Sequence, residues 1–322
     1  MLIRFWGTRG SIPVAMTSAE VQRKLVAALM RAAGRGLDTR EKAQAFVARE
    51  LDFAVSHTFG GNSSCVQIAG RDAPVHAPYL LCDLGSGARV FANQLLAERG
   101  PAGHVFHVFM SHVHWDHIMG FPFFMPAYIP GNQIYIYGCH ETLEEAFRRQ
   151  NSAPSFPVDF SRMGAAIEFT RLEPGREYRI ADFRVRAMRQ HHGGDSYGYR
   201  FERSGKTVIY STDSEHKQDD PAAIEAFVEF FRDADLVIFD AQYSLADSIS
   251  VKEDWGHSSN VVGVELCQLA RAKRLCMYHH EPMFDDERIA SILAETVRLE
   301  EITRGDHRVE ISAAYDGMEI VV

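Results

Sequence analysis

The order of predicted elements implies an α/β protein: two sheets packed face to face with helices outside, a four-layer αβ/βα sandwich. Three observations predict it. Apolar runs of strand length cluster in both halves of the 322-residue chain, helical-period segments follow each cluster, and ligand-type side chains recur where strands end. A helical insertion is predicted over 17–56. No linker or internal repeat interrupts the pattern, so 1–322 is expected to form a single domain.

The first strand is Leu2–Trp6, with a turn at Gly7–Ser11. Between Thr17 and Asp52 the period changes to 3.6. VQRKLVAALMRAAG sets Val21, Leu25, Ala28 and Leu29 on one face, and Gly34 and Gly36 end the helix. Thr39 caps a second helix with Lys42 where a capping box would have Glu, and Ala43, Phe46, Val47 and Leu51 form its stripe. This pair is expected to pack on the body, or to serve as a lid or the contact of a homodimer. Strands at Ser64–Ala69 and Tyr79–Asp83 flank a Pro-containing loop, and a helix follows over Ala88–Glu98.

The next apolar run, Val105–Met110, is short enough for a buried strand and ends in His112, His114, Asp116 and His117. Neutral imidazole and carboxylate suit zinc, manganese or iron, and alternate residues of an extended turn project to the same side. His112 and His114 can therefore share one ion, and Asp116 and His117 can reach a second. Two ions about 3.5–4 Å apart are the arrangement that clamps attacking and leaving oxygens in phosphoester hydrolysis.

A Phe- and Tyr-rich stretch at 121–128 follows, read chiefly as core packing and secondarily as a base-stacking wall. A strand at Gln133–Tyr137 and a helix at Glu141–Gln150 come next. A meander of five strands then runs from Ile167 to Ser211, with turns at Pro174-Gly175 and Ser204-Gly205. Helix and strand alternate afterwards (Pro221–Phe231, Leu236–Asp240, Asn260–Arg271, Leu275–His279, Asp286–Glu300), and strands at Arg308–Ser312 and Met318–Val322 close the chain. Three of these later strand ends carry further donors: His191-His192, Asp213, and His279-His280.

Net charge is −9 with a pI near 5.9, which argues against nucleic acid as the main partner. The five cysteines form no C-x-x-C pair and lie in apolar runs, as buried thiols of a cytoplasmic protein do. No charged-then-apolar leader opens the chain and no run reaches membrane-spanning length, so neither secretion nor a membrane partner is expected.

The motifs FWGTRGSIP, FGGNSSC, LCDLGSG, SHVHWDH, HHGGDSYGYRFE, VIYSTDS, FDAQY, WGHSS and MYHHEP run in order through nearly the whole chain outside 17–56. In them the chain resembles the metallo-β-lactamase-fold hydrolases, in the branch of ribonuclease Z and the cyclic-phosphate phosphodiesterases. The resemblance implies one divalent ion on His112, His114 and His191, another on Asp116, His117 and His279, and Asp213 bridging them. In the doublet at 191–192 the family pattern, His followed by Pro, favours His191 over His192. Asp83 is implied as acceptor for a ligand imidazole, with an N-cap to the following helix as its other role. His257 is implied as proton donor with Asp240 as its carboxylate, and Asp116 is counted with them among the catalytic residues.

The expected activity is cleavage of a phosphodiester, foremost in a small cyclic or nucleotide-type substrate, with two divalent ions: zinc first, manganese or iron(II) as alternatives. Endonucleolytic trimming of transfer RNA is the first alternative. It is disfavoured because no basic or glycine-rich arm is seen and Arg23, Lys24, Arg31, Arg35, Arg40 and Lys42 are offset by acids. Lactone or thioester hydrolysis is the second. A dioxygen-reducing di-iron protein is set aside, since such proteins usually have Glu where this chain has His114.

Overall fold

The computed structural model describes residues 1–71, 74, 77–216, 220–242 and 256–322. Six strands build one sheet in chain order: β1 (Leu2–Gly7), β2 (Cys65–Ala69), β3 (Tyr79–Cys82), β4 (Val105–Phe109), β5 (Gln133–Gly138) and β6 (Ala166–Arg171). The next seven build the other: β7 (Glu177–Ile180), β8 (Phe183–Gln190), β9 (Ser196–Arg203), β10 (Lys206–Ser211), β11 (Leu236–Asp240), β12 (Arg274–Tyr278) and β13 (Glu310–Ala313). The last strand, β14 (Glu319–Val321), returns to pair antiparallel with β1 in the first sheet.

Each sheet is part antiparallel and part parallel. In the first, β3 to β6 run parallel; in the second, β10 to β13 do. Phe5, Ile68, Cys82 and Phe109 of one sheet bury against Tyr199, Phe201, Tyr210 and Tyr278 of the other, which makes the central layer interface. The helix Gly87–Arg99 covers the outer face of the first sheet through Phe91 and Leu95. The helices Pro221–Phe231, Asn260–Leu269 and Asp286–Thr303 cover the second. The αβ/βα sandwich follows from this pattern: β strands apolar on both faces need cover on both sides.

The insertion at 17–56 is helical, as expected. Its helices are Ser18–Ala32 and Arg40–Glu50, with a short turn at Phe53–Ser56. Thr17 and Glu20 close a complete capping box on the first helix. The stripe of Val21, Leu25 and Leu29 points to solvent, so of the roles expected for the pair it does not serve packing on the body, and none of the 15 residues of this helix is buried. The opposite face docks instead. Lys24 Nζ donates to the carbonyls of Ala54 and His57 at 2.6 Å and pairs with Asp286 at 2.5 Å. In the second helix Phe46 is buried and Val47 is exposed.

In the stretch 121–128 the core-packing role is seen for part of the residues. Phe121, Phe124 and Ala127 lie in the core, while Phe123 and Met125 are exposed. Tyr243, the last residue of FDAQY, Trp255, the first of WGHSS, and part of the Pro-containing loop at 70–78 lie outside the described residues. Among the described residues no helix is long and apolar enough to cross a membrane.

Candidate metal centre

Parallel strands deliver their C-terminal ends to one edge of a sheet, and both sheets present that edge to the same cleft. There β3 leads into Asp83, β4 into His112, β10 into Asp213, β11 ends in Asp240 and β12 leads into His279. The antiparallel β8 adds the doublet at 191–192. Asp83, Asp213 and His279 each take positive φ (59°, 48° and 59°) just past their strands. That left-handed backbone costs a non-glycine residue on the order of 1 kcal/mol and turns the side chain sharply into the cleft. Gly10 makes room: a Cβ there would lie 2.6 Å from the His279 ring.

Among the described residues four ligand-type groups result, each with its donor atoms mutually close: His112, His114 and His192; Asp116, His117, Asp213 and His279; and two that overlap these through His257, namely His192, Asp213 and His257, and Asp240, His257 and His279. Asp213 joins the first two. Its Oδ1 lies 3.2 Å from His117 Nε2 and 3.3 Å from His279 Nε2, and its Oδ2 lies 3.7 Å from Nε2 of both His112 and His192. Asp116 Oδ2 stands 3.1 Å from His117 Nε2 and 3.4 Å from His279 Nε2. His192 Nε2 is 3.1 Å from His114 Nδ1.

The expectation for His191 is corrected here. His191 is exposed and bridges through its backbone to Glu215, whereas the ring of His192 enters the cleft. Successive residues at a strand end point to opposite sides, so only one of the doublet can reach the group. The other expected positions, His112, His114, Asp116, His117, Asp213 and His279, come together.

The second ring nitrogens are held by the protein. Asp83 Oδ2 accepts from His117 Nδ1, Ser111 Oγ and Tyr210 Oη, each at 2.7 Å, and Oδ1 accepts from the Ser111 amide at 2.7 Å. Ser111 Oγ lies 3.0 Å from His112 Nδ1, Gln242 Oε1 lies 3.2 Å from His279 Nδ1, and the Gly256 carbonyl accepts from His192 Nδ1 at 2.7 Å. Each such bond fixes a tautomer and leaves the other nitrogen's lone pair facing the cleft. Asp83 is not the helix cap; Ser86 holds that position. Ser111, Gln242 and Gly256 were missed in the sequence because an acceptor for a ligand ring has no local spacing signature.

The electrostatics fit a cation. Burial alone would favour neutral Asp116 and Asp213, yet the surrounding imidazoles hold both below the usual carboxylate range. Burial also opposes charge on His117, but Asp116, Asp213 and Asp83 outweigh it and raise its pKa well above the ordinary value. Burial and the neighbouring His117 push His112 down, and its Nε2 is buried with no hydrogen-bond partner. A buried, partnerless imidazole nitrogen aimed at carboxylates is costly unless it ligates. The residues present therefore fit a divalent ion.

Beside the group, His257 Nδ1 meets Asp240 Oδ2 at 2.8 Å. Asp240 is fully buried and accepts from the amides of Ser214 and Gln242 at 3.2 Å. Burial disfavours the imidazolium, but Asp240 overcomes it and the His257 pKa rises to about 9. The His257 ring centroid lies 5.1 Å from those of His192 and His279.

The β-lactamase superfamily domain matches residues 79–280, and the chain belongs to that superfamily. It is 23% identical over 264 residues to ribonuclease Z of Thermoplasma acidophilum, covering 68% of this chain and 81% of that one. The fold is similar to human tRNase Z, short form, at a TM-score of 0.61, with 18% identity and coverage of 100% of this chain and 99% of that one. It is likewise similar to a diphosphatase from the PhnP family at a TM-score of 0.60, with 19% identity and coverage of 100% and 97%. The protein is a metal-dependent hydrolase of this fold.

Proposed function

We propose that the chain is a dinuclear phosphodiesterase acting on a small phosphodiester, with 1–322 as one hydrolase domain. The observation that carries it is the division of Asp213: one carboxylate oxygen faces His117 and His279, the other faces His112 and His192. A carboxylate so placed bridges two positions. His112, His114 and His192 would hold one ion and Asp116, His117 and His279 the other, with zinc best matched to the imidazole-rich set. When bound, the pair supplies positive charge for the diester's non-bridging oxygens and acidifies water for in-line attack.

The chain's own residues do the rest. Asp240 keeps His257 Nδ1 protonated and the imidazolium charged near neutrality. The His257 Nε2 proton is then available for the departing alkoxide, a contribution of roughly 10²–10⁴ in rate. Gln242, Ser111, Asp83 and Gly256 hold the ligand rings in orientation.

A small substrate is supported by the charge of −9 and by the pairing of basic residues in the insertion: Arg23 with Asp285, Arg31 with Asp52, Arg35 with Glu50. A second reading, transfer-RNA 3′ processing, is favoured by the relatives named ribonuclease Z. The test is metal analysis joined to a panel of an aryl phosphodiester, cyclic nucleotides, a precursor transfer RNA, a lactone and a thioester. Turnover of a small diester with two ions bound is expected. Turnover of the lactone or thioester alone would overturn the class, and selective cleavage of the RNA would establish the second reading.

A further inference from the structure

His216 stands three residues beyond Asp213 and belongs to none of the ligand-type groups. Its ring packs against Phe227 and Phe239, with centroids 4.2 Å and 5.2 Å away. An apolar side chain would fill that space as well. The polar atoms show what the imidazole adds.

His216 Nδ1 lies 2.6 Å from Ser258 Oγ. The Ser258 hydroxyl has one proton, and it donates that proton to the carbonyl of Ser214. Ser258 therefore accepts from His216, whose Nδ1 carries the hydrogen. Burial pushes the His216 pKa down to about 4, so the ring is neutral near pH 7 and Nε2 has no proton. Among the described residues Nε2 is buried without a partner. Leaving a polar atom unsatisfied is unfavourable, and a histidine kept there has its task at Nδ1.

The hydrogen bonds return on themselves. The Ser214 amide donates to Asp240 Oδ2 at 3.2 Å, and the same oxygen meets His257 Nδ1 at 2.8 Å. Ser258 follows His257 directly in the chain. His216, Ser258, Ser214, Asp240 and His257 thus form one closed circuit. It ties the segment behind Asp213 to the segment that carries His257.

We infer that His216 is a positioning residue for the proton donor, holding His257 against Asp240 through Ser258. The inference rests on the reading of His257 as proton donor. A displacement of about 1 Å at a reacting group can cost on the order of 10² in rate, so a small drift of this segment is enough to matter.

Two diesters that differ in leaving-group basicity test it: a cyclic nucleotide, whose alkoxide needs a proton, and a p-nitrophenyl diester, whose phenolate does not. His216→Phe keeps the packing against Phe227 and Phe239 and removes the donor. Its kcat on the cyclic nucleotide should fall by about tenfold or more, with KM, metal content and p-nitrophenyl turnover close to wild type. His216→Asn, whose amide NH2 can stand in for Nδ1–H, should restore most of the loss. Ser258→Ala should reproduce His216→Phe, and the double variant should be no worse than either. Wild-type kcat in His216→Phe, an equal loss on both diesters, no rescue by His216→Asn, or additive losses in the double variant would each overturn the inference. His257→Ala separates the two levels. If that variant also loses equally on both diesters, the proton-donor reading itself fails; if it is selective and His216→Phe is not, only the role of His216 falls.

Discussion

Nδ1 of His192 donates to the carbonyl oxygen of Gly256 across 2.7 Å, one residue before His257. The candidate metal ligand and the candidate proton donor are thereby held by the same short backbone segment. Gly256 has φ of +81°, and a Cβ there would sit 2.4 Å from His192 Nδ1. Gly256→Ala should therefore displace the His192 ring and weaken binding of one metal equivalent by about tenfold or more. Competition against a chelator reads the two equivalents separately; wild-type affinity for both would show that the bond does not orient the ring.

The doublet at 191–192 offers a clean comparison. His192→Ala should lose one metal equivalent, and His191→Ala should keep both, because His191 is exposed and outside the group. Metal analysis after dialysis distinguishes them.

His257→Ala should retain both ions and slow turnover by on the order of 10²–10⁴. Loss of metal in that variant would make His257 a ligand instead of a proton donor, which steady-state kinetics and metal content together decide.

The pH dependence follows from the His257–Asp240 pair. The folded pKa is raised to about 9, so the charged form, and any stability the pair contributes, is fully present below the ordinary imidazole value near 6.5. Both decline as pH rises through about 9. The alkaline limb of kcat should lie there, and Asp240→Asn should move it downward. An unmoved limb would assign it to another group.

Asp83→Ala removes the acceptor of His117 Nδ1, Ser111 Oγ and Tyr210 Oη in a dry interior. Metal affinity should fall by about 10–100-fold, and stability by about 3 kcal/mol. Chelator competition and urea unfolding measure the two effects.

Much of the site is legible in the sequence. His112, His114, Asp116 and His117 announce themselves because one strand end supplies them at fixed spacing, and Asp213 and His279 because each terminates an apolar run. The doublet was not resolvable: His191 and His192 differ only in which side of the strand they face, and that depends on where β8 stops. The role of the insertion stripe stays open in the sequence for a related reason. Periodicity shows that Val21, Leu25 and Leu29 share a face; it does not say what that face meets.

By itself the sequence determined the layered α/β architecture, the strand ends that carry donors and the chemistry those donors suit, because hydrophobic period and residue type are local properties. Tertiary structure alone decided that Asp213 turns one oxygen to each group, that His192 displaces its neighbour, that Gln242 and Gly256 hold the rings, and that the first helix docks by Lys24. Each of these is a distance between residues far apart in the chain, set by how two sheets pack, and no local pattern encodes it.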